Sequence, residues 1–147
     1  MNATMNAKIL ETLRAAYIAE REAMAVTYPA QVANLPHYRA QAARGVLAKV
    51  TRNVSTKGKP QAFKRGQLVL AWVELGLVRT AWCPGYALCG LADGSLVQVP
   101  TVAAGDRVTW HGTTSSVTTV SDHTSGRVVL ILSDRRAPFL DELDVAA

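Results

Sequence analysis

The periodicity of the chain changes once, near Gly66, and that change limits the folds open to it. Before Gly66, apolar residues recur mainly at helical spacing. After it, short apolar runs alternate with Gly, Asp and Ser, and the longest strongly apolar run covers only residues 68–73. Such a chain is expected to be α+β. N-terminal helices precede a small antiparallel β-barrel, SH3-like, or a sandwich.

Within the first part, Leu10, Leu13, Tyr17 and Met24 form one stripe, widened by Ile9 and Ile18, with no Gly or Pro between residues 7 and 27. This spacing predicts a helix over 7–27, capped by Asn6 and ended by Tyr28-Pro29. Its stripe can pack on its own domain or on a neighbouring subunit. A second helix is expected from Pro36, with Asn34 or Leu35 at its boundary, Tyr38 and Ala42 on its buried face and Gly45 as its stop. Val46, Ala48, Val50 and Val54 then alternate with Leu47, Lys49, Thr51 and Asn53. That favours a strand over a further helical turn. The implied organisation is a helical region at 1–54, possibly ending in this strand, a basic loop at 55–65, a β-domain at 66–136 and an acidic tail at 137–147.

Strands are expected at 68–73, 80–83, 86–91, 96–99, 107–111, 116–120 and 127–132. Ala92-Asp93-Gly94-Ser95 reads as a hairpin turn joining two of them. The runs at 68–73 and 127–132 are apolar on both faces. In the tail, Phe139, Leu140 and Leu143 are the anchors among Asp141, Glu142 and Asp144.

Charge is distributed unevenly. Residues 1–65 hold eleven Lys and Arg against three Glu, and residues 66–147 hold five Arg against eight Asp and Glu. The halves therefore carry net charges of +8 and −3, within a total of +5. An acidic partner for the first half, or contact between copies, would satisfy this asymmetry. Only 18% of residues are charged, so part of the surface is expected to be covered by partners. The densest basic stretch holds Lys49, Arg52, Lys57, Lys59, Lys64 and Arg65 with no acid, and includes Phe63, which could stack. It can track phosphates, dock on an acidic surface such as the Asp141, Glu142 and Asp144 tail of another copy, or serve as a solvated loop.

Residues that could carry chemistry are sparse. Cys83 and Cys89 are separated by five residues and lack the second ligand pair a zinc site needs. Ser121, Asp122 and His123 have the residue types of a hydrolase triad, but adjacent residues cannot adopt its relay geometry. They read as a turn in which Asp122 bonds nearby backbone. His37 is expected to be exposed in a first helical turn, and His111 ends a strand before Gly112. No glycine-rich phosphate loop or paired catalytic carboxylates are found. The expectation is a protein that is not an enzyme, with no catalytic residue, no metal and no cofactor. No run approaches the roughly 18 apolar residues of a membrane span. The start lacks the order of a signal peptide, so a reducing, cytoplasmic setting is expected before assembly.

The stretch GDRVTWHGTTSSVTTVSDHTSGRVVLIL, residues 105–132, is similar in texture to the β-rich core of small virion proteins of tailed bacteriophages. In those head–tail connector, stopper and related proteins, a glycine-aspartate strand, a short hairpin and a strand apolar on both faces recur. The likeness leaves the N-terminal helices unexplained and transfers no functional residue. It implies a structural protein of a larger assembly, placed in the virion, with other protein subunits as partners in a homo-oligomer or hetero-assembly. The alternative is a nucleic-acid-binding or regulatory accessory protein that uses the 49–65 segment.

Overall fold

A computed structural model of the chain describes residues 2–55, 63–85 and 88–145. It is α+β, with two α-helices and antiparallel sheets. Helix α1 spans Ala3–Thr27 and begins a turn earlier than its apolar stripe suggests. Asn2 supplies the cap, its side chain accepting the Met5 amide at 2.8 Å, which satisfies one of the open amides of the first turn. Asn6, expected in that role, is instead buried inside the helix and donates Nδ2 to the Pro100 carbonyl at 2.8 Å. A 3-10 helix, Pro29–Asn34, leads into α2, Leu35–Arg44. Gly45 follows α2 in an extended conformation, its amide donating to Gln41 O and Ala42 O at 3.1 Å, and a Cβ there would lie 2.5 Å from Leu70 Cδ1.

Strand β1, Val46–Val50, realises the alternation read in the sequence and lies inside a five-stranded sheet. The other members are β2 (Leu68–Glu74), β3 (Leu77–Trp82), β4 (Cys89–Gly90) and β5 (Leu96–Gln98), in the order β4-β3-β2-β1-β5. Both faces are covered, which accounts for the continuous apolar character of 68–73. One face carries Val46, Ala48, Val50, Val69, Ala71, Val78, Ala81 and Leu96. The other carries Leu47, Leu70 and Trp82 against Leu10 and Tyr17 of α1, so the stripe of α1 packs on its own chain. Tyr17 meets Trp72 and Trp82 at centroid distances of 5.5 and 5.3 Å, within the range favoured for tilted aromatic pairs.

Strands β6 (Arg107–Trp110), β7 (Thr113–Asp122) and β8 (Val128–Leu132) form a separate three-stranded meander. One face of β8 is buried through Val128, Leu130 and Leu132, whereas Ile131 stays 38% exposed, against the expectation of two covered faces. Residues 136–139 pair along the outer edge of β8, with Leu130 N donating to Pro138 O and Leu132 N to Arg136 O.

Two further expectations are corrected. The sheets do not close into a barrel, because β5 gives its outer amide to Gly126 (Gln98 N to Gly126 O, 2.6 Å) rather than to β4. The turn at 92–95 does not join a hairpin either. Its flanking strands lie at opposite edges of the sheet, β4 beside β3 and β5 beside β1. A Gly-containing turn sets a reversal locally, but strand partners are chosen by burial of their faces.

Candidate functional site

The basic segment grows out of the β1–β2 hairpin. Beyond the last sheet pair, Val50 and Gln67 stay bonded, Gly66 N reaches Val50 O at 2.7 Å, and Val54 and Phe63 exchange two backbone hydrogen bonds of 2.8 Å. Phe63 is 1% exposed and packs in the core with Val50 and Val69. It therefore anchors the base of the segment and does not present its ring for stacking, a correction to the sequence reading. Its aromatic bulk is worth more buried beside β1 than exposed among cations.

Arg52, Lys64 and Arg65 are exposed at this base, and among the described residues none has an ion-pair partner. Arg52 is oriented by Ser95 Oγ, which accepts from Nε at 3.1 Å and Nη2 at 3.0 Å. The Thr51 hydroxyl donates to Gly94 O, and Thr51 N donates to Ser95 O at 2.9 Å. The 92–95 turn thus serves as an abutment for the chain leaving β1. Arg65 N donates to Asn53 Oδ1 at 3.0 Å, and Lys64 N to Gln67 Oε1 at 3.1 Å. Backbone groups are satisfied internally while the charged ends face solvent. Lys57 and Lys59 lie outside the described residues. Lys49, exposed on β1, lines a separate recess of about 290 Å³ with Asp122, His123 and Arg127.

The acidic tail is a strap across the meander, not a solvated extension. Asp141 receives Arg127 Nε at 3.0 Å and Nη2 at 2.8 Å, with the two side chains only 11% and 14% exposed. The same guanidinium lies 3.7 Å from the Phe139 ring centroid, a cation–π contact. Glu142 accepts the Phe139 amide at 2.9 Å, and Asp144 accepts the amides of His111 and Gly112 at 3.0 and 2.9 Å. Asp144 thereby holds His111 at φ +50, an uncommon conformation for a residue with a side chain. Each of these carboxylates has a partner in its own chain, Asp141 being largely buried with Arg127, and Glu142 and Asp144 exposed.

The remaining candidates take structural positions. Cys83 is buried, and burial pushes its thiol up to about 11, so it stays protonated and unreactive near neutral pH. No group of three or more His, Cys, Asp or Glu suited to a metal occurs among the described residues. Ser121 and Asp122 lie in β7. It is His123 that makes the turn, its Nδ1 accepting from Ser125 N at 3.1 Å and contacting Ser125 Oγ at 2.7 Å. His37 is exposed, as its place in the first turn of α2 suggests.

A cleft of about 610 Å³ runs between α1, α2 and the strap. Arg14 crosses it to hold the end of α2, donating Nη2 to Ala43 O at 3.1 Å and to Gly45 O at 2.8 Å. This side chain closes off carbonyls that α2 leaves open, so its role is structural. Sequence reasoning also passed over the junction of α1 and α2. The signal there was available: residues 23–38 contain no Asp, Glu, Lys or Arg, and Val26, Tyr28 and Val32 are exposed. Among the described residues, no helix is long and apolar enough to cross a membrane. The chain matches no family model, no curated protein and no solved structure.

Proposed function

We propose that this chain is a non-enzymatic structural protein of a larger assembly, docking through the basic 49–65 segment, with a tailed-phage virion as its setting. The observation that carries the docking surface is the construction of the segment's base. A buried Phe63, a paired Val54 and a buttressing turn support Arg52, Lys64 and Arg65, which have no carboxylate partner among the described residues. Clustered cations without counter-charges repel one another, and an acidic partner relieves that repulsion. The virion setting is supported by the texture of residues 105–132, and it includes no reaction.

The test is a variant carrying Lys57→Ser, Lys59→Ser, Lys64→Ser and Arg65→Ser, with Arg52 kept because it is bonded to Ser95. Its melting temperature should match that of the unaltered protein, while capture of its partner subunits and binding to duplex DNA are both measured. Loss of subunit capture at unchanged stability supports the assembly reading. If DNA binding alone is lost, with a log–log salt slope near −0.9 per neutralised phosphate, the accessory nucleic-acid reading replaces it. Unfolding of the variant, or binding unaffected on both counts, refutes the segment as a contact surface.

A further inference from the structure

The 3-10 helix Pro29–Asn34 buries none of its six residues, although four of them are Pro, Ala and Val. It joins the end of α1 to the start of α2 and forms one corner of the molecule. On that corner Val26 is 84% exposed, Tyr28 63% and Val32 55%. Pro29, Ala30 and Ala33 are exposed beside them. The corner is well supported from beneath. Tyr28 N donates to Met24 O at 2.8 Å, and Gln31 N to Tyr28 O at 2.9 Å. The Gln31 Oε1 atom accepts from Asn34 Nδ2 at 3.0 Å and from the Tyr38 hydroxyl at 3.2 Å. Arg21 lies 4.5 Å from the Tyr38 ring centroid. The polar side chains of Gln31, Asn34 and Tyr38 are thus bonded to one another, while the aliphatic groups of Val26 and Val32 face water.

We infer that this corner is a self-association surface, and that its occupant is the same corner of a second copy. The choice of occupant rests on charge. Elsewhere the first half of the chain exposes Lys8, Arg39, Arg44, Lys49, Arg52, Lys64 and Arg65 against only Glu11 and Glu22, the latter paired with Arg39, so two copies meeting there would bring net positive surfaces together. Residues 23–38 have no charged side chain to oppose. A two-fold contact sets each patch against itself, and a neutral, apolar patch is the one that tolerates this. The contact is independent of the basic segment. Three large side chains and their neighbours form a patch below the roughly 800 Å² per partner of a standard interface. The association is therefore weak and reversible, and it becomes useful when many copies are held together.

Sedimentation from about 10 µM to 1 mM brackets an interface of this size. The unaltered protein should show a monomer–dimer equilibrium that high salt leaves unchanged or strengthens. The pair Val26→Lys and Val32→Lys should abolish it, as should the pair Val26→Glu and Val32→Glu, each with an unchanged melting temperature. An equimolar mixture of the two variants should associate again at low salt, because the opposed charges then attract. The four-residue serine variant of the basic segment should dimerise normally, which separates this contact from docking. Monomer throughout the range, dimers of the lysine variant alone, a mixture that stays monomeric, or dependence on the basic segment would each overturn the inference.

Discussion

The five-stranded sheet and the three-stranded meander are stabilised by different means. The first is covered on both faces, by the cluster around Val50, Phe63 and Val69 on one side and by Leu10, Tyr17, Leu47, Leu70 and Trp82 on the other. The second has a small cluster on one face, Val108, Val117, Val128, Leu130, Leu132 and Leu140. It adds carboxylate clasps: Asp141 on Arg127, Asp144 on the His111 and Gly112 amides, and Asp134 on Ser115 and Arg136. Burial sustains the first region on both faces, whereas the second adds charged hydrogen bonds, among which the Asp134 carboxyl is held below its ordinary range. A thin sheet can be stable if its polar contacts are well made.

Four measurements break or sharpen this contrast. Trp82→Ala should have the largest effect, about 3–5 kcal/mol in denaturant unfolding, since the ring is fully buried and touches Tyr17. A loss below about 1 kcal/mol would show that α1 does not depend on the sheet for its packing. Leu130→Ala should cost about 2–4 kcal/mol, because Leu130 is fully buried but in the smaller cluster. An effect exceeding that of Trp82→Ala would reverse the ranking of the two regions.

The joint between the regions comes third. Gln98 is 3% exposed, accepts the Val128 amide on Oε1 at 2.6 Å and binds Gly126 through its own amide. Gln98→Leu leaves the Val128 amide unpaired and should cost about 1–3 kcal/mol. Amide exchange should then rise in β8 more than in β2. Equal rises in both strands would mean that the regions open together, without a joint.

The smallest effect concerns acid. The Ser115 hydroxyl, followed by Arg136, holds the Asp134 carboxyl below the ordinary range. A carboxyl depressed in the folded state contributes stability that is present above its unfolded pKa of about 4 and lost as pH falls through the folded value. Acidification should therefore loosen the meander before the five-stranded sheet, and Asp134→Asn should weaken that pH dependence. Loss of the five-stranded sheet first, seen by Trp fluorescence and exchange, would remove the distinction.

Local features were legible wherever a residue acts on its own neighbours. The stripe of Leu10, Leu13 and Tyr17, Pro36 at the start of α2, Gly45 at its end and the alternation from Val46 to Val50 all correspond to elements found. These signals arise from helix and strand periodicity and from backbone restriction, and need no knowledge of distant partners. The basic segment was legible as a charge run for the same reason. Its anchoring was not, because Phe63 enters the core only after β1 and β2 pair.

Distant choices belonged to the tertiary structure. Ala92 to Ser95 has the composition of a hairpin turn, yet β4 and β5 pair elsewhere, since each gains more by covering a different neighbour. Asn6 has the chemistry of a cap, and Pro100, 94 residues away, claims it. Asp141 looks like a solvated acid until Arg127 from the β8 side meets it. Gly126 shows the division in one residue. Its composition announces a turn, but only the fold reveals that a Cβ would lie 2.8 Å from Leu96 O. Sequence determines what a residue can do for the chain beside it, while close approach, pairing and charge neutralisation depend on segments brought near by burial.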